Sequence, residues 1–586
     1  MAKFGDLTTN LMFSKFKALA KEIRFAFDTM PAKPKAFFGF LFVLFVGSLA
    51  FLIWQLNQKL MIAVPAEGGS LTEGVIGSAR FVNPLLAVSD ADRDLTSLIY
   101  SGLVRIDGKG NFIPDLAKSY EVSEDRLTYT FYLKDNLSFH DGKPLTAEDV
   151  KFTFEKAMDS AIKSSKRANW DGVTVEQLDS KTIRLTLKKS YPAFLENTTL
   201  GILPKHLWGQ TSAETFPLHE RNLEAVGSGP YLLSKINKDS DGLPVSYELE
   251  PFVDFALNKP RIKKITIRFY NNEESLISAY QKGEIDSLNS LPPGQVKTLE
   301  TEGVRVVKST LPRVFAVFFN QNHNSIFLDK NVRQALSLSI PRDEIVQNIF
   351  HGYAEALDGI YSVKNTDKIN FDLEKAKEVL AKAGWNLNDQ GVMEKIIKNS
   401  KNSKSTTKQI LSFSLATSNI EELKQIANVL KKNWAAIGVK VEIEIYDPSD
   451  LNQNIIRPRK YDTLLFGEVM GRDGNPYPFW HSSQRADPGL NIAMYTNAKV
   501  DTFLEEAKLL INQNERKDKY QAAEKEIKKD IPAAFIYSPY FLYLLPRNIL
   551  GVSLPTLTNP SERFSNVYKW YVRQDKVWKI FENFYK

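Results

Sequence analysis

The sequence contains no cysteine among its 586 residues. This absence excludes disulfide bonds, thiolate nucleophiles and thiolate metal ligands. It also removes the lipid-bearing cysteine by which many surface proteins are anchored. Any attachment to a membrane must therefore come from another kind of segment.

Histidine is also scarce, with six residues, and no two of them have the spacing of a metal site. The sequence lacks the Gly-x-Ser-x-Gly, His-Glu-x-x-His and Walker motifs of three large enzyme classes. We therefore predict a protein that is not an enzyme and that needs no cofactor and no protein-bound metal.

Positive charge is concentrated at one end of the chain. The net charge is +7, and residues 1–60 contribute eight basic and three acidic side chains. The remaining chain is nearly neutral and has little excess charge with which to displace counterions from phosphates. We therefore expect no nucleic-acid partner.

A long apolar run follows these basic residues. Residues 36–54 (AFFGFLFVLFVGSLAFLIW) are 19 uncharged positions, which at ~1.5 Å per residue nearly cover a hydrocarbon core of ~30 Å. This predicts a transmembrane anchor at 36–56, with residues 1–35 as a cytoplasmic tail because basic flanks stay inside. A cleaved signal peptide is the alternative, but its first region would be unusually long and no clear cleavage site follows.

Within the tail, apolar side chains recur every three or four residues and would share one helical face: Phe13, Phe16, Ala20, Ile23 and Phe27. An amphipathic helix on the anionic inner leaflet is one interpretation. A basic flank that only sets topology is the other. Pro31 and Pro34 are expected to break the helix before the span.

The rest of the chain is too long for one hydrophobic core, so we expect two or three lobes. The segments SLTEGVIG (70–77), LTYTFYL (127–133) and KTIRLTL (181–187) are typical of strands. Thr146, followed by Asp149, is typical of a helix N-cap. Strands and helices alternate without a fixed repeat, which favours mixed α+β lobes.

Three further segments carry weaker patterns. Residues 57–69 are predicted to be a linker, and the Lys-rich residues 395–408 a solvated loop. Near the C-terminus, Val577, Ile580, Phe581 and Phe584 would share a helical face. We expect this segment to dock on the body. Contact with a membrane or a membrane partner is the alternative.

Seven ordered motif blocks carry a resemblance to a known family. Residues 81–157 contain Asn-Pro-Leu, Gly-Leu, Pro-x-Leu-Ala, Phe-His-Asp-Gly and Leu-Thr-Ala-Glu-Asp-Val in that order. They are followed by VGSGPYLL (226–233), KGEIDSL (282–288), FFNQN (318–322), NVRQALSLSIPRDEIVQNIFHGYA (331–354), FDLEKAKEVLAKAGW (371–385) and QIANVLKKNWAAIGVKVEI (425–443). This pattern resembles the family-5 extracellular solute-binding proteins, which include oligopeptide-, dipeptide- and nickel-binding receptors.

The resemblance implies a bilobal α/β fold like that of periplasmic binding proteins, with an extra domain in the N-terminal lobe and one transmembrane helix before it. It implies domain I at 70–112, 224–312 and 546–586, domain II at 113–223, and domain III at 313–545. A ligand would lie between domains I and III. The hinge would consist of two chain crossings, one of them near Phe319 and Asn320.

The resemblance also indicates where a ligand would bind. In this family, extended peptides pair with a strand of the cleft wall, and an aspartate in the next loop commonly binds the peptide ammonium. We place that strand at KYDTLLFGEVM (460–470) and that loop at GRDGNPYPFWHSSQ (471–484). The expected ligand-binding residues are Asn83, Gly467, Glu468, Val469, Asp473, Asn475 and Trp480.

Individual residues leave alternatives open. Asn475 stands where the family often has an acidic residue, and Glu468 is the candidate for the missing charge. Trp480 and Tyr477 would either line an apolar pocket or pack in the core. His140 is expected to be structural, although it stands in a conspicuous motif.

The resemblance implies a monomeric, membrane-anchored extracytoplasmic receptor that delivers peptides to the permease subunits of an ABC importer. A surface receptor or sensor without transport remains open. So does a receptor for an oligosaccharide or for a nickel chelate carried by a small molecule.

Overall fold

The computed structural model describes residues 17–18, 21–190, 193–361, 369–398, 406–510 and 512–584. The chain divides into a body, residues 67–572, and a smaller unit made of residues 1–66 and 573–586. Phe13, Phe16 and Ala20 of the predicted tail face lie outside the described residues. Residues 21–29 are helical, and Ile23 and Phe27 are exposed there.

The strands fall in the following order: β1 Met61–Ala66, β2 Ser70–Ile76, β3 Val104–Ile106, β4 Phe112–Pro114, β5 Ala117–Val122, β6 Thr128–Leu133, β7 Val173–Gln177, β8 Thr182–Leu187, β9 Tyr231–Lys238, β10 Pro244–Pro251, β11 Lys264–Tyr270, β12 Ser287–Asn289, β13 Arg305–Thr310, β14 Arg313–Phe319, β15 Ala354–Ala356, β16 Asn386–Leu387, β17 Met393–Lys398, β18 Thr406–Ile410, β19 Ser412–Ser418, β20 Lys440–Tyr446, β21 Thr463–Val469, β22 Ala533–Leu545 and β23 Arg573–Trp578.

The α-helices are α1 Ala32–Leu60, α2 Asp90–Ile99, α3 Ala147–Met158, α4 Phe194–Asn197, α5 Lys205–Trp208, α6 Glu273–Gln281, α7 Pro293–Thr301, α8 Lys330–Leu338, α9 Arg342–Asn348, α10 Leu373–Lys382, α11 Glu421–Ala436, α12 Pro448–Asp450, α13 Tyr477–Trp480, α14 Ala498–Leu509 and α15 Gln513–Asp530. Short 3₁₀ helices lie at Arg167–Trp170, Phe216–Leu218, Glu220–Asn222, Ser325–Leu328, Ser482–Gln484, Pro560–Lys569 and Lys579–Phe584, and a π-helix at Leu451–Ile456.

A twelve-stranded mixed sheet organises the body. Ten strands follow the order β20-β19-β21-β14-β22-β12-β2-β11-β10-β9, and β13 and β15 both pair with β22. The first half of β22 pairs with β14 and its second half with β13. This long strand therefore belongs to both halves of the sheet.

The chain passes between the two halves at Leu311–Pro312 and again within β22. The Ser538 hydroxyl donates a hydrogen bond to the Leu311 carbonyl at 3.1 Å, which joins the two crossings. Phe319 and Asn320, which were expected near one crossing, lie at the other end of β14.

Local sequence patterns predict several secondary-structure elements correctly. A separate antiparallel sheet, β5-β6-β8-β7, contains both alternating segments that were predicted to be strands. Burial alternates residue by residue along β6 because successive side chains point to opposite faces. Thr146 caps α3 in a reciprocal arrangement with Asp149, as its spacing predicts.

Two segments predicted to be irregular are ordered instead. Residues 57–69 continue α1 to Leu60 and then form β1, which leaves three residues before β2. Residues 395–408 contribute to β17 and β18, an antiparallel pair, and residues 399–405 lie outside the described residues. β17 and β18 are ordered because their backbones hydrogen-bond to each other, and the polar composition of these segments does not indicate such pairing.

The smaller unit contains α1, which covers the predicted span and is long and apolar enough to cross a membrane. Pro34 lies in the first turn of α1, where its missing N–H costs nothing, so it does not break the helix. β1 pairs with β23. Val577 is therefore in a strand, and the helical face predicted for the C-terminus is wrong.

A buried ion cluster joins the 3₁₀ helix Pro560–Lys569 to the sheet. Arg563 is fully buried and donates to both carboxylate oxygens of Asp94 in α2, at 2.7 and 2.5 Å. It also donates from Nη2 to Glu73 of β2 at 2.9 Å, and the Tyr543 hydroxyl donates to the other Glu73 oxygen at 2.8 Å. Buried charges are tolerated only when paired, so this cluster fixes four elements together: the 3₁₀ helix, α2, β2 and β22.

Replacing Arg563 with methionine leaves two buried carboxylates without their counter-charge. We expect the free energy of unfolding to fall by about 3–5 kcal/mol, as when one side of a buried pair is removed. Urea denaturation measures the change. Arg93→Met is the control, because Arg93 contacts Asp90 at the surface and such pairs contribute only about 0–1 kcal/mol. Equal losses in the two variants would contradict this role for the cluster.

His140 stabilises a turn, as expected. Its Nε2 donates to the Gly229 carbonyl at 3.0 Å, and the Gly227 amide donates to its Nδ1 at 3.3 Å. These two bonds require a neutral ring with its proton on Nε2. Burial lowers the pKa of His140 from 6.5 to about 4.

This lowered pKa makes stability depend on pH. Between pH 4 and 6.5 the unfolded chain binds more protons than the folded chain, so the contribution is present above pH 6.5 and is lost as pH falls towards 4. Because His140 keeps some exposure, we expect a loss of about 1–3 kcal/mol. His140→Gln should flatten the dependence measured by urea denaturation across this range, whereas His351→Asn at an exposed position should not. An unchanged slope in His140→Gln would refute the assignment.

Candidate functional site

The second half of β21 provides an edge on which an extended chain can add. β14 pairs along the whole of β21, from Thr463 to Val469, whereas β19 pairs only with the first two residues of β21. Among the described strands, the segment Phe466–Val469 therefore has a single ladder partner. Val469 is 52% exposed and Gly467 is half-buried. Both lie on the strand to which the sequence assigned backbone contacts with a ligand.

Gly467 leaves room for an aromatic pair across the strand. A Cβ atom at this position would lie 2.7 Å from the Phe315 ring, too close for any side chain. That ring stacks on Tyr537 with 4.6 Å between centroids. Because Gly467 has no side chain, the Phe315 ring can lie against this position and form an apolar surface beside the available edge.

Glu468 and Trp480 point into the protein instead. Alternation along β21 turns Glu468 away from its two neighbours, and the residue is buried. Burial raises the pKa of Glu468 well above its usual range, although the Trp480 indole lowers it somewhat. Trp480 is fully buried and packs against Phe318 and Phe535. Neither the expected negative charge of Glu468 nor the expected contact of Trp480 is available at a cleft surface.

Asp473 lies in the loop that follows β21. Its Oδ1 accepts a hydrogen bond from the Asn475 amide at 3.2 Å, and Asn475 Oδ1 accepts one from the Tyr477 amide at 3.0 Å. The Tyr361 hydroxyl holds the loop by donating to the Gly474 carbonyl at 2.6 Å. One carboxylate oxygen of Asp473 thus shapes the turn, and Asn475 does the same.

The other oxygen of Asp473, Oδ2, is buried and has no hydrogen-bond partner among the described residues. Burial raises the pKa of Asp473, while the Asn475 amide and the nearby Arg516 lower it. A buried carboxylate oxygen without a donor is an unfavourable arrangement. A cationic donor brought by a ligand would relieve it.

Arg472, which the sequence reasoning missed, joins this loop to the other half of the body. Its guanidinium donates from Nη1 to the Thr556 carbonyl and from Nη2 to Glu562, both at 2.5 Å. Its Nε lies 3.8 Å from Glu196. Since the partners are 84 to 276 positions away in the sequence, no local pattern connects them to Arg472. A charged side chain in a Gly- and Pro-rich loop was the only available signal.

A cavity of about 640 Å³ opens beside these contacts, and Glu196, Glu562 and Lys166 line it. Burial raises the pKa of Glu196; Arg472 and Lys166 lower it, and Glu562 and Asp473 raise it. Burial and the charge of Arg93 lower the pKa of Lys166. The charge of Asp473 therefore acts on Glu196, a carboxylate that lines the cavity.

Asn83 occupies an interior position, not a cleft edge. It is fully buried, its Nδ2 donates to Asn222 Oδ1 at 3.0 Å, and its Oδ1 accepts from the Leu85 amide at 3.0 Å. Both polar groups of the side chain are used within the protein. The neighbouring Pro84 lines the cavity instead.

Comparison with known proteins agrees with this geometry. A model of the bacterial extracellular solute-binding proteins, family 5 Middle, matches residues 111–489, which is more than half of the chain. The chain belongs to family 5 of the bacterial extracellular solute-binding proteins. The resemblance seen in the sequence is thereby confirmed.

Family-5 relatives align over most of the body. The oligopeptide-binding protein AppA of Bacillus subtilis is 28% identical over 533 residues, 88% of this chain and 94% of AppA. The structure of that AppA with a nonapeptide has a TM-score of 0.63 at 27% identity, covering 87% of this chain and all of AppA. NikZ of Campylobacter jejuni with Ni(L-His) has a TM-score of 0.65 at 26% identity, covering 86% of this chain and 99% of NikZ.

The mixed α/β fold of periplasmic binding proteins, preceded by one apolar N-terminal helix, is thus the fold of this family-5 member. The solved structures are covered almost completely while about one seventh of this chain stays unmatched. Residues 1–66 and 573–586 together have that size.

The contacts of Arg472 predict a measurable loss on substitution. Arg472→Met removes the guanidinium that joins Glu562 and Thr556 to the loop after β21. We expect the free energy of unfolding to fall by about 1.5–3 kcal/mol, as for hydrogen bonds to charged groups. We also expect faster hydrogen exchange at 470–475 and 556–562.

Arg457→Met is the matched control. The Arg457 side chain is 62% exposed and its Nε lies 4.0 Å from Asp487 Oδ1, so a loss below about 1 kcal/mol is expected. Unchanged exchange in both segments of Arg472→Met would show that Arg472 does not link the two halves.

Proposed function

We propose that this protein is a membrane-anchored, extracytoplasmic receptor that captures peptides for an ABC importer and is not an enzyme. The observation that carries the proposal is the available edge of β21 followed directly by the buried, donor-free oxygen of Asp473. The similarity to AppA, an oligopeptide-binding protein, supports the same class of ligand.

The binding mode follows from these two features. An extended peptide adds to the edge at Phe466–Val469, where main-chain hydrogen bonds give affinity without reading side chains. The peptide ammonium then meets Asp473 Oδ2, which stands four residues after Val469. Gly467 and Val469 contribute backbone contacts, and Asn475 keeps the aspartate in place.

The free carboxylate oxygen of Asp473 favours a cationic group. Asp473 Oδ2 has no hydrogen-bond donor among the described residues. An ammonium would supply both a donor and a counter-charge to this oxygen, whereas a carboxylate or phosphate would supply neither.

Closure of the cleft uses the two chain crossings. Domains I and III, with the boundaries implied by the family, meet at Leu311–Pro312 and at the middle of β22. Short segments of this kind can absorb the backbone change of a hinge. Arg472 then contacts Glu562 when the halves meet.

The anchor sets the location. Basic residues precede α1, so the N-terminus is placed in the cytoplasm and the body outside. There the protein would act as a monomer and pass its ligand to the permease subunits of the importer. A sensor without transport would use the same site and differ only in its partner.

Calorimetric titration of the full-length protein with a pair of matched peptides tests the site. The peptides have one sequence and differ only in a free or acetylated N-terminus. A bond to a charged group contributes about 1.5–3 kcal/mol, so acetylation should weaken binding about 10- to 100-fold. In Asp473→Asn the two peptides should bind equally. Asp389→Asn, at an exposed position, should keep the discrimination of the native protein.

The outcomes separate the parts of the proposal. Binding of both peptides with equal affinity to the native protein would retain a peptide receptor and reject Asp473 as the ammonium site. Failure of a varied peptide pool to bind would reject the peptide ligand. A nickel chelate would then be tested first, given the similarity to NikZ with Ni(L-His), followed by oligosaccharides.

A further inference from the structure

The C-terminal residues return to the end of the membrane-spanning helix. β1 begins directly after α1 and leads away from it, and β23 runs antiparallel to β1. The register pairs Ala66 with Arg573 and Met61 with Trp578. The chain therefore travels back along β23 towards α1 and reaches it at Trp578.

Trp578 is attached to the helix at a defined depth. Its Nε1 donates to Asn57 Oδ1 at 2.7 Å. Asn57 is three residues beyond Trp54, the last residue of the apolar run, or about 4.5 Å along the helix axis. Apolar and polar residues meet at this level, and tryptophan is enriched at such membrane interfaces.

Trp578 and the residues that follow it in the chain expose a large apolar surface. Trp578 is 45% exposed, Ile580 73% and Phe581 48%. Lys576 and Lys579 are exposed beside them. Apolar side chains next to cations suit a headgroup region, where apolar parts enter the acyl boundary and charges remain in water.

This surface is continuous with the lipid-facing side chains of α1. Trp578 lines a shared cavity of about 390 Å³ together with residues of the helix end: Ala50, Ile53, Trp54, Leu56, Asn57 and Leu60. Because the neighbouring side chains of α1 face lipid, the same bilayer is the partner within reach.

We propose that Trp578, Ile580 and Phe581 form a second membrane contact, an interfacial anchor seated in the outer leaflet beside α1. This inference rests on the anchoring role of α1 given under Proposed function. The partner is a lipid surface, and the contact holds the C-terminus of the chain at the bilayer.

The absence of cysteine in the chain permits a clean test. A single cysteine is introduced into the full-length protein, labelled with an environment-sensitive fluorophore, and studied in phosphatidylcholine–phosphatidylglycerol nanodiscs with nitroxide quenchers at headgroup or mid-chain depth. Ile580→Cys reports the proposed contact, and Val46→Cys reports the span. Gln574→Cys is the matched control, because it lies on the same β-ribbon about 14 Å before Trp578.

We expect the Ile580 label to be quenched several-fold more than the Gln574 label, and most strongly by the headgroup-level nitroxide. Quenching at Val46 but equal, weak quenching at Ile580 and Gln574 would overturn the second contact and leave the anchor intact. No quenching at Val46 would overturn the anchor and this inference with it. If the Ile580 label is shielded from solvent only after permease subunits are added, its partner is a protein and not lipid, and the proposed lipid contact is overturned.

Discussion

Arg563 brings a positive charge into the interior of the body, where a charge without a partner is strongly unfavourable. Its carboxylate partners come from β2, in the middle of the large sheet, and from α2. Tyr543 ties β22 to the same cluster. None of these elements can shift without separating buried charges. The strand that crosses between the two halves is therefore held firmly on one side of the crossing.

The residue before Arg563 faces a different environment. Glu562 lines the cavity and accepts a hydrogen bond from Arg472 of the opposite half. Its position is set by the buried cluster at the next residue. The Arg563 side chain is fully buried, and the side chains of Arg472 and Glu562 are 8% and 14% exposed. The contact between Arg472 and Glu562 is therefore only slightly less buried than the cluster. It ties the loop after β21 to the 3₁₀ helix Pro560–Lys569.

Sequence predicted what depends on near neighbours. The alternation in β6, the cap at Thr146 and the apolar run of α1 are all visible within a few residues. The strand β21 and the loop carrying Asp473 were also located correctly.

Properties set by distant contacts were not predictable. The burial of Glu468 depends on which face of β21 meets the core, and an isolated strand does not show this. The burial of Trp480 depends on where α13 packs. The partners of Arg472, and the pairing of β1 with β23 across more than 500 positions, follow from tertiary structure alone.

The unpartnered oxygen of Asp473 connects these contacts to the proposed choice of ligand. Burial raises the pKa of Asp473, so a bound proton is one way to reduce the cost of burying this carboxylate. An ammonium is another, and it also supplies the donor that Asp473 Oδ2 lacks among the described residues. A carboxylate terminus would supply neither the donor nor the opposite charge. Under the proposed function, a peptide is therefore oriented by its amino end, while the backbone edge of β21 leaves the identity of its side chains largely unread.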